Sequence, residues 1–435
     1  MVELTSDGAL PAPARGLARW VPRGRSEVRV AALVVAALAV GAALRLVLPG
    51  LIEFKGDEGF SFDTARDILD TGHWPALGME SSVGLRNPGL SVWIFAALQW
   101  MGGVATPVGL ARAVACLNIA ALLGLAAFAW TRRGPERDAW LWAVALAAVS
   151  PLGMIQQRKI WPPSVFPLLA LAFYLAWRAR DRRWAAFAWG ALGVLMAQIH
   201  MGAVMYAAAF AAWAAYEAWR KDDRRRTRWG YWLAGSLLGL GPAVPWLMRL
   251  GQAELAHHAV EASQRWGNTW RMWMENAVGW NLEYTLGREH MAEFRRWPLV
   301  AGHETSLVTV ALWAAMAVAL VLAACALRNL AREGRGFLDR FAWDGAVAHN
   351  VAFFVYGLGM TLMPIIVWRH YLLVDFPFEA LSLPLLARLG GVRLRWLGVV
   401  WAAHLVIALS LLAYLYAHEG APGGDFGRAW MFQPP

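Results

Sequence analysis

Long apolar runs alternate with short polar connections along most of the chain. Runs of roughly 15–25 residues are long enough to cross a ~30 Å hydrocarbon layer as helices. They fall at 28–50, 107–130, 138–154, 163–178, 184–198, 203–219, 229–249, 305–327, 346–368, 371–387 and 396–416. The pattern predicts an all-α polytopic membrane protein with about eleven transmembrane helices. One further run, 88–101, would span only about 21 Å as a helix and is read as interfacial or re-entrant. Residues 1–27, rich in Pro, Ala, Gly and Arg, are read as a disordered cytoplasmic tail. The apolar run that follows is too long for a signal-peptide core, so a retained first helix is expected.

Composition sharpens this picture. Of 435 residues, 59% are hydrophobic and 16% charged, with mean hydropathy +0.41, whereas a soluble chain carries about 25% charged residues. The net charge of +10 does not point to nucleic acid, because the arginines cluster between spans. With the N-terminus inside and 88–101 not crossing, every such cluster falls on the cytoplasmic side, and together they hold more than half of the 40 basic residues. The body of the protein is then 28–416, with an external tail at 417–435. Two large outer loops, 51–106 and 250–304, remain beside short outer turns at 155–162, 198–202 and 368–370. Cys116 and Cys325 lie inside apolar spans, and no Cys/His metal spacing is present.

The outer face carries the candidate chemistry. Phe54-Lys55-Gly56-Asp57-Glu58-Gly59-Phe60 places two carboxylates just after the first span. Residues 57–69 read as an amphipathic helix along the membrane surface, with Phe62, Ala65, Ile68 and Leu69 on the apolar face and Gly72 as its stop. Asp57 suits a general base that deprotonates a substrate at the bilayer surface; the structural alternative is an N-cap. Arg86, Arg158, Lys159 and Arg369 are candidates for binding a substrate phosphate. For the first three, contact with lipid headgroups is the alternative. His200, His370 and Tyr371 lie at outer turns and are candidate substrate contacts, with a structural role the plainer reading of His200. Arg45 and Arg112 are read as snorkelling cations. The loop 250–304 mixes Trp266, Trp270, Trp273, Trp280 and Trp297 with arginines, which suits either a lid or a membrane anchor. Two carboxylates and a phosphate would accept a divalent cation, but no dedicated ligand set is visible and no metal site is assigned.

Over about residues 30–135 the chain resembles the GT-C membrane glycosyltransferases. The likeness is to the branch holding protein O-mannosyltransferases and the lipid A aminoarabinose transferase (glycosyltransferase family 39-like). The residues that carry it are Asp57-Glu58-Gly59-Phe60, Gly72-His73-Trp74-Pro75, Arg86-Asn87-Pro88, Trp93, Gly102 and Arg112. The resemblance implies an inverting transferase that takes a sugar from a polyprenyl-phosphate donor, with Asp57 at the catalytic carboxylate and Glu58 beside it. The acceptor would be a hydroxyl on lipid, glycan or protein, and the setting a bacterial inner membrane with the site facing outward. Asn87 stands where that pattern usually has a basic residue before the proline, and Arg86 is the substitute expected. A transporter or lipid flippase, and a non-catalytic membrane subunit, are the alternatives. The first predicts ionisable residues at mid-membrane; the second predicts no loss on substitution of Asp57 and Glu58.

Overall fold

The computed structural model describes residues 25–80, 85–219, 226–249, 274–275, 277–280, 282–334, 355, 357–358, 373–374 and 378–434. The described residues are helical almost throughout. Among them four helices are long and apolar enough, by length and composition, to cross a membrane: Val28–Leu46, Pro107–Trp130, Leu307–Glu333 and Leu394–Ala417. They match the expected spans 28–50, 107–130, 305–327 and 396–416. The other expected spans are shorter or broken. Residues 138–154 fold as α5 (Gly134–Val149) and α6 (Pro151–Gln156), split at Ser150. Residues 163–178 open with a 3-10 turn before α7 (Phe166–Arg178). Residues 229–249 contain α10 (Trp229–Gly239), a 3-10 turn and α11 (Val244–Leu247). Helices α8 (Arg183–Ile199) and α9 (Ala203–Trp219) have 17 residues each. The span 346–368 and most of 371–387 lie outside the described residues, so the count of about eleven is not established by the fold.

The break at Ser150 has a local cause. Pro151 has no N–H to give to the carbonyl of Ala147, four residues back. The guanidinium of Arg45, on α1 (Arg25–Leu46), takes that carbonyl at 3.1 Å and the Ala148 carbonyl at 2.7 Å. It also donates to Gly41 O and Gln157 Oε1. Arg45 is buried at 2% exposure. It therefore does not snorkel; it ties the first helix to the broken end of α5 and satisfies backbone groups that would be costly in an apolar interior.

The first loop matches its predicted plan. Helix α2 (Gly56–Thr71) buries Phe62, Ala65 and Ile68 against α3 (Leu90–Gly102), the short run expected not to cross. Leu69, expected on the apolar face, is 42% exposed, and Ser61 is buried beside Phe62. Gly72 ends α2 at φ +71°, a left-handed conformation that costs a side-chain-bearing residue about 1–2 kcal/mol. Between them a short antiparallel pair joins β1 (Leu77–Glu80) to β2 (Arg86–Pro88). Two more such pairs, Leu299–Val300 with His303–Glu304 and Gly420–Ala421 with Gly427–Arg428, are small additions to a helical fold. All three fall in segments expected outside the membrane.

The polar connections sort to two ends. At one end Arg178 lies 3.9 Å from Glu136, and Arg180 pairs with Glu217 at 2.5 Å and donates to Thr227. These are arginine-rich connections read as cytoplasmic. At the other end lie α2, the turn 157–161, α11 and the tail after α15 (Leu397–Ala417). The tail's Trp430 N–H bonds Ile52 O at 3.0 Å, which puts the C-terminal segment on the same end as the first loop, as the charge pattern requires.

Candidate functional site

The two adjacent carboxylates take opposite positions because they sit 100° apart on a helix. Lys55, not Asp57, occupies the N-cap of α2. Glu58 is the third helical residue and reaches back, its Oε2 accepting the Lys55 N–H at 3.1 Å. Its other oxygen lies 2.8 Å from Lys159 Nζ, and the residue is fully buried. Asp57 points the other way and is exposed in the first turn, where the helix dipole favours negative charge.

Beneath α2 is a buried charge cluster. Lys159 Nζ lies 2.9 Å from Glu53 Oε1 as well as 2.8 Å from Glu58, and 4.3 Å above the Trp161 ring. Lys55 lies 3.5 Å from Glu53 and 3.2 Å from Asp425. Burial alone would lower Lys159; Glu53 and Glu58 outweigh it and hold its ammonium above the usual lysine value. Burial raises Glu53 despite Lys159, with Glu58 and Asp425 adding repulsion. Glu53 and Asp425 carry no motif that sequence reading could use. Glu53 ends an apolar run, and Asp425 lies in a glycine-rich tail.

The cations expected on one phosphate separate. Arg158 is 4% exposed and donates to the carbonyls of Leu44, Val47 and Leu48 at 3.3, 2.8 and 2.6 Å, closing the C-terminus of α1. Burial pushes it down to about 10, still charged at neutral pH. Lys159 is held by the two glutamates. Of the three that are described, Arg86 faces open space. It lines a cleft of about 640 Å³ with Phe60, Thr64, Trp74 and Arg249. Its Nε donates to Gly78 O at 3.0 Å, and its guanidinium stands 5.8 Å from the Phe60 ring centre. Asn87, in the place of the usual basic residue, is buried and donates to Met79 O. Arg249 was missed because it ends an apolar run and has no neighbouring charge. His200 accepts the Gly202 N–H at Nδ1, and burial lowers it to about 4, so it is neutral at pH 7. Arg112 is exposed. Arg369, His370 and Tyr371 lie outside the described residues.

The cleft walls come from three places. Phe60 and Thr64 follow Asp57 at i+3 and i+7, so all three share one stripe of α2, and Asp57 lies at the end of the stripe that lines the cleft. His73 and Trp74 follow the Gly72 stop, and Trp93 Nε1 anchors this stretch through Pro75 O at 2.9 Å. The third wall is the α11 end, where Trp246 Nε1 donates to Arg86 O at 2.9 Å. Its approach depends on α10 lying against α8: a Cβ on Gly235 would sit 2.0 Å from Phe187 O, and one on Gly190 2.1 Å from Trp232 O. Among the described residues no group of three His, Cys, Asp or Glu side chains is placed to hold a metal ion. A second groove, about 630 Å³, lies between Leu307–Glu333 and α15; it is lined by apolar residues and Arg395.

The described part of the second loop is docked rather than free. The helix Glu283–Phe294 is held to the outer end of α15 through Tyr414, which donates to Glu293 at 2.8 Å and meets His290 at 2.8 Å. His418 meets Glu293 at 3.1 Å. Trp266, Trp270 and Trp273 lie outside the described residues.

The described residues form a helical protein, four of its helices long and apolar enough to cross a membrane, with a cleft walled by the first loop. Among solved structures the chain is similar to ArnT from Cupriavidus metallidurans. The apo structure matches at 13% identity over 82% of this chain and 78% of that one, with a TM-score of 0.40. The structure bound to undecaprenyl phosphate matches at 14% identity over 81% and 77%, with a TM-score of 0.39. No family model and no curated protein matches the sequence.

Proposed function

We propose that the protein is an inverting glycosyltransferase that moves a sugar from a polyprenyl-phosphate donor to a hydroxyl acceptor at the outer face of a bacterial inner membrane. The observation that supports it most is the stripe on α2. The stripe begins at the exposed Asp57 and continues through Phe60 and Thr64, which line a cleft that also holds two guanidinium groups, Arg86 and Arg249. A base beside a cavity that holds cations is what a single displacement needs. Asp57 takes the acceptor proton as the acceptor oxygen bonds to the anomeric carbon. The bond from that carbon to the phosphate oxygen breaks, and Arg86 and Arg249 neutralise the departing polyprenyl phosphate. Phe60 and Trp74 offer aromatic faces to the sugar between them. Glu58 serves by fixing the first turn of α2, and Arg158 and Lys159 serve through the fold rather than on the phosphate. Arg369, His370 and Tyr371 remain further substrate candidates, and the unplaced part of 250–304 a candidate lid. The outward orientation rests on the arginine distribution.

The test is turnover of labelled polyprenyl-phosphate sugars and nucleotide sugars by purified protein with a membrane extract as acceptor source. Turnover is expected with the lipid-linked donors alone. Arg86→Ala is expected to raise KM for donor about tenfold, the loss of one charge-assisted contact. Donor bound but never consumed would favour a flippase. Absence of both binding and turnover would refute the reading.

A further inference from the structure

The C-terminal segment 420–433 lies apart from the cleft, yet it grips the residues that lead into α2. Along one side it follows the chain at alternate positions. Met431 N–H bonds Gly50 O at 3.0 Å, Trp430 N–H bonds Ile52 O at 3.0 Å, and Gln433 Nε2 bonds Phe54 O at 2.8 Å. The Trp430 ring meets Phe54 edge-on at 4.7 Å. The Lys55 ammonium donates to the carboxylate and the backbone carbonyl of Asp425. On its other side the segment is anchored: Asp425 and Phe426 N–H groups bond Tyr284 O and Thr285 O at 3.1 and 2.9 Å. Phe426 and Ala429 are buried. Trp430 packs on the core that holds Phe62, Val92 and Leu110, and Phe432 on the core that holds Leu411 and Leu415.

Lys55 is the pivot of this arrangement. It is the N-cap of α2, two residues before Asp57; Glu58 holds its N–H, and Asp425 and Glu53 hold its ammonium. A rotation of this residue turns the first helical turn and with it the Asp57 carboxylate. We infer that segment 420–433 is a strap that fixes the first turn of α2, and that Asp425 is a positioning residue for Asp57. The strap itself stands on geometry; its effect on turnover rests on the glycosyl-transfer reading. A base held within hydrogen-bond reach loses rate steeply when it swings, while donor binding at Arg86 and Arg249 is untouched.

The experiment compares full-length wild type with the double variant Asp425→Asn/Gln433→Ala, which leaves the buried Lys159 pairs intact so that the chain still folds. Two readouts are taken: hydrogen exchange of the 52–59 amides, and kcat and KM for donor. The inference expects exchange at 52–59 to rise two- to fivefold, kcat to fall severalfold and KM to stay unchanged, with Asp425→Glu retaining most of the wild-type rate. Unchanged exchange overturns the strap. Faster exchange with unchanged kcat, or a rise in KM alone, overturns the positioning role. If wild type transfers no sugar, the functional reading fails, and the exchange arm by itself decides whether the strap exists.

Discussion

Replacing Lys159 by Met keeps the length of the side chain and removes its charge. The ammonium it deletes lies 2.9 Å from Glu53 and 2.8 Å from Glu58, and the three side chains are 5, 2 and 0% exposed. Breaking a buried pair by removing one partner costs about 3–5 kcal/mol. Protonation sets a ceiling. Neutralising a carboxyl of ordinary value 4.5 at pH 7 costs about 3.4 kcal/mol at about 1.36 kcal/mol per pH unit, so a stranded glutamate takes up a proton rather than pay more. Lys55, 3.5 Å from Glu53, relieves that residue in part. The expected loss is therefore about 3–4 kcal/mol at pH 7, borne chiefly by Glu58. In the variant burial still raises Glu53, and Lys159 no longer lowers it. The stability this carboxyl contributes is full below about pH 4.5 and is lost as pH rises. In wild type the raised Lys159 contributes fully below 10.5, so it adds no slope between pH 5 and 8. Thermal unfolding in detergent, followed by tryptophan fluorescence at pH 5, 6, 7 and 8, should show a gap between the two proteins that widens with pH. Adding Glu58→Gln to Lys159→Met should close most of it. A gap independent of pH, or none at all, would refute the argument.

Two other substitutions separate structure from chemistry. Arg158→Ala strands the carbonyls of Leu44, Val47 and Leu48 and should cost about 2–3 kcal/mol of stability, read as a lower unfolding temperature, with donor KM unchanged; a rise in KM without loss of stability would return Arg158 to the phosphate. Gly72→Ala meets no atom within 4 Å and should cost about 1 kcal/mol through its backbone conformation alone, read by the same unfolding assay.

The first loop was legible in the sequence because its signals are local. The 3.6-residue spacing of Phe62, Ala65 and Ile68 set the buried face of α2. The glycine at 72 supplied the stop, and the length of 88–101 set the short helix. Asp57 and Arg86 were found as charged residues at a membrane mouth; Arg86 lines the cleft, and Asp57 begins the stripe of α2 whose Phe60 and Thr64 line it. What was not legible depends on distant partners. Arg45 read as snorkelling because nothing near it shows that Pro151, far along the chain, orphans the Ala147 carbonyl. Pro151 inside an apolar run was the available signal. Arg158 and Lys159 read as phosphate ligands because two adjacent outer cations demand an anion or acceptors, and sequence does not say that α1 carbonyls and Glu53 supply them. Asp425 meets Lys55 across 370 residues. The N-cap alternative was placed on Asp57; the cap is Lys55, and Glu58 is its capping partner, which the carboxylate pair alone did not show.

The measurement that bears most directly on the account is single-turnover transfer with labelled polyprenyl-phosphate sugar bound beforehand to wild type and to Asp57→Asn. The account predicts that both proteins hold the donor, that the unfolding temperatures agree, and that the variant passes sugar to the acceptor about 10²–10⁴-fold more slowly. Transfer at the wild-type rate from a correctly folded Asp57→Asn protein would contradict it.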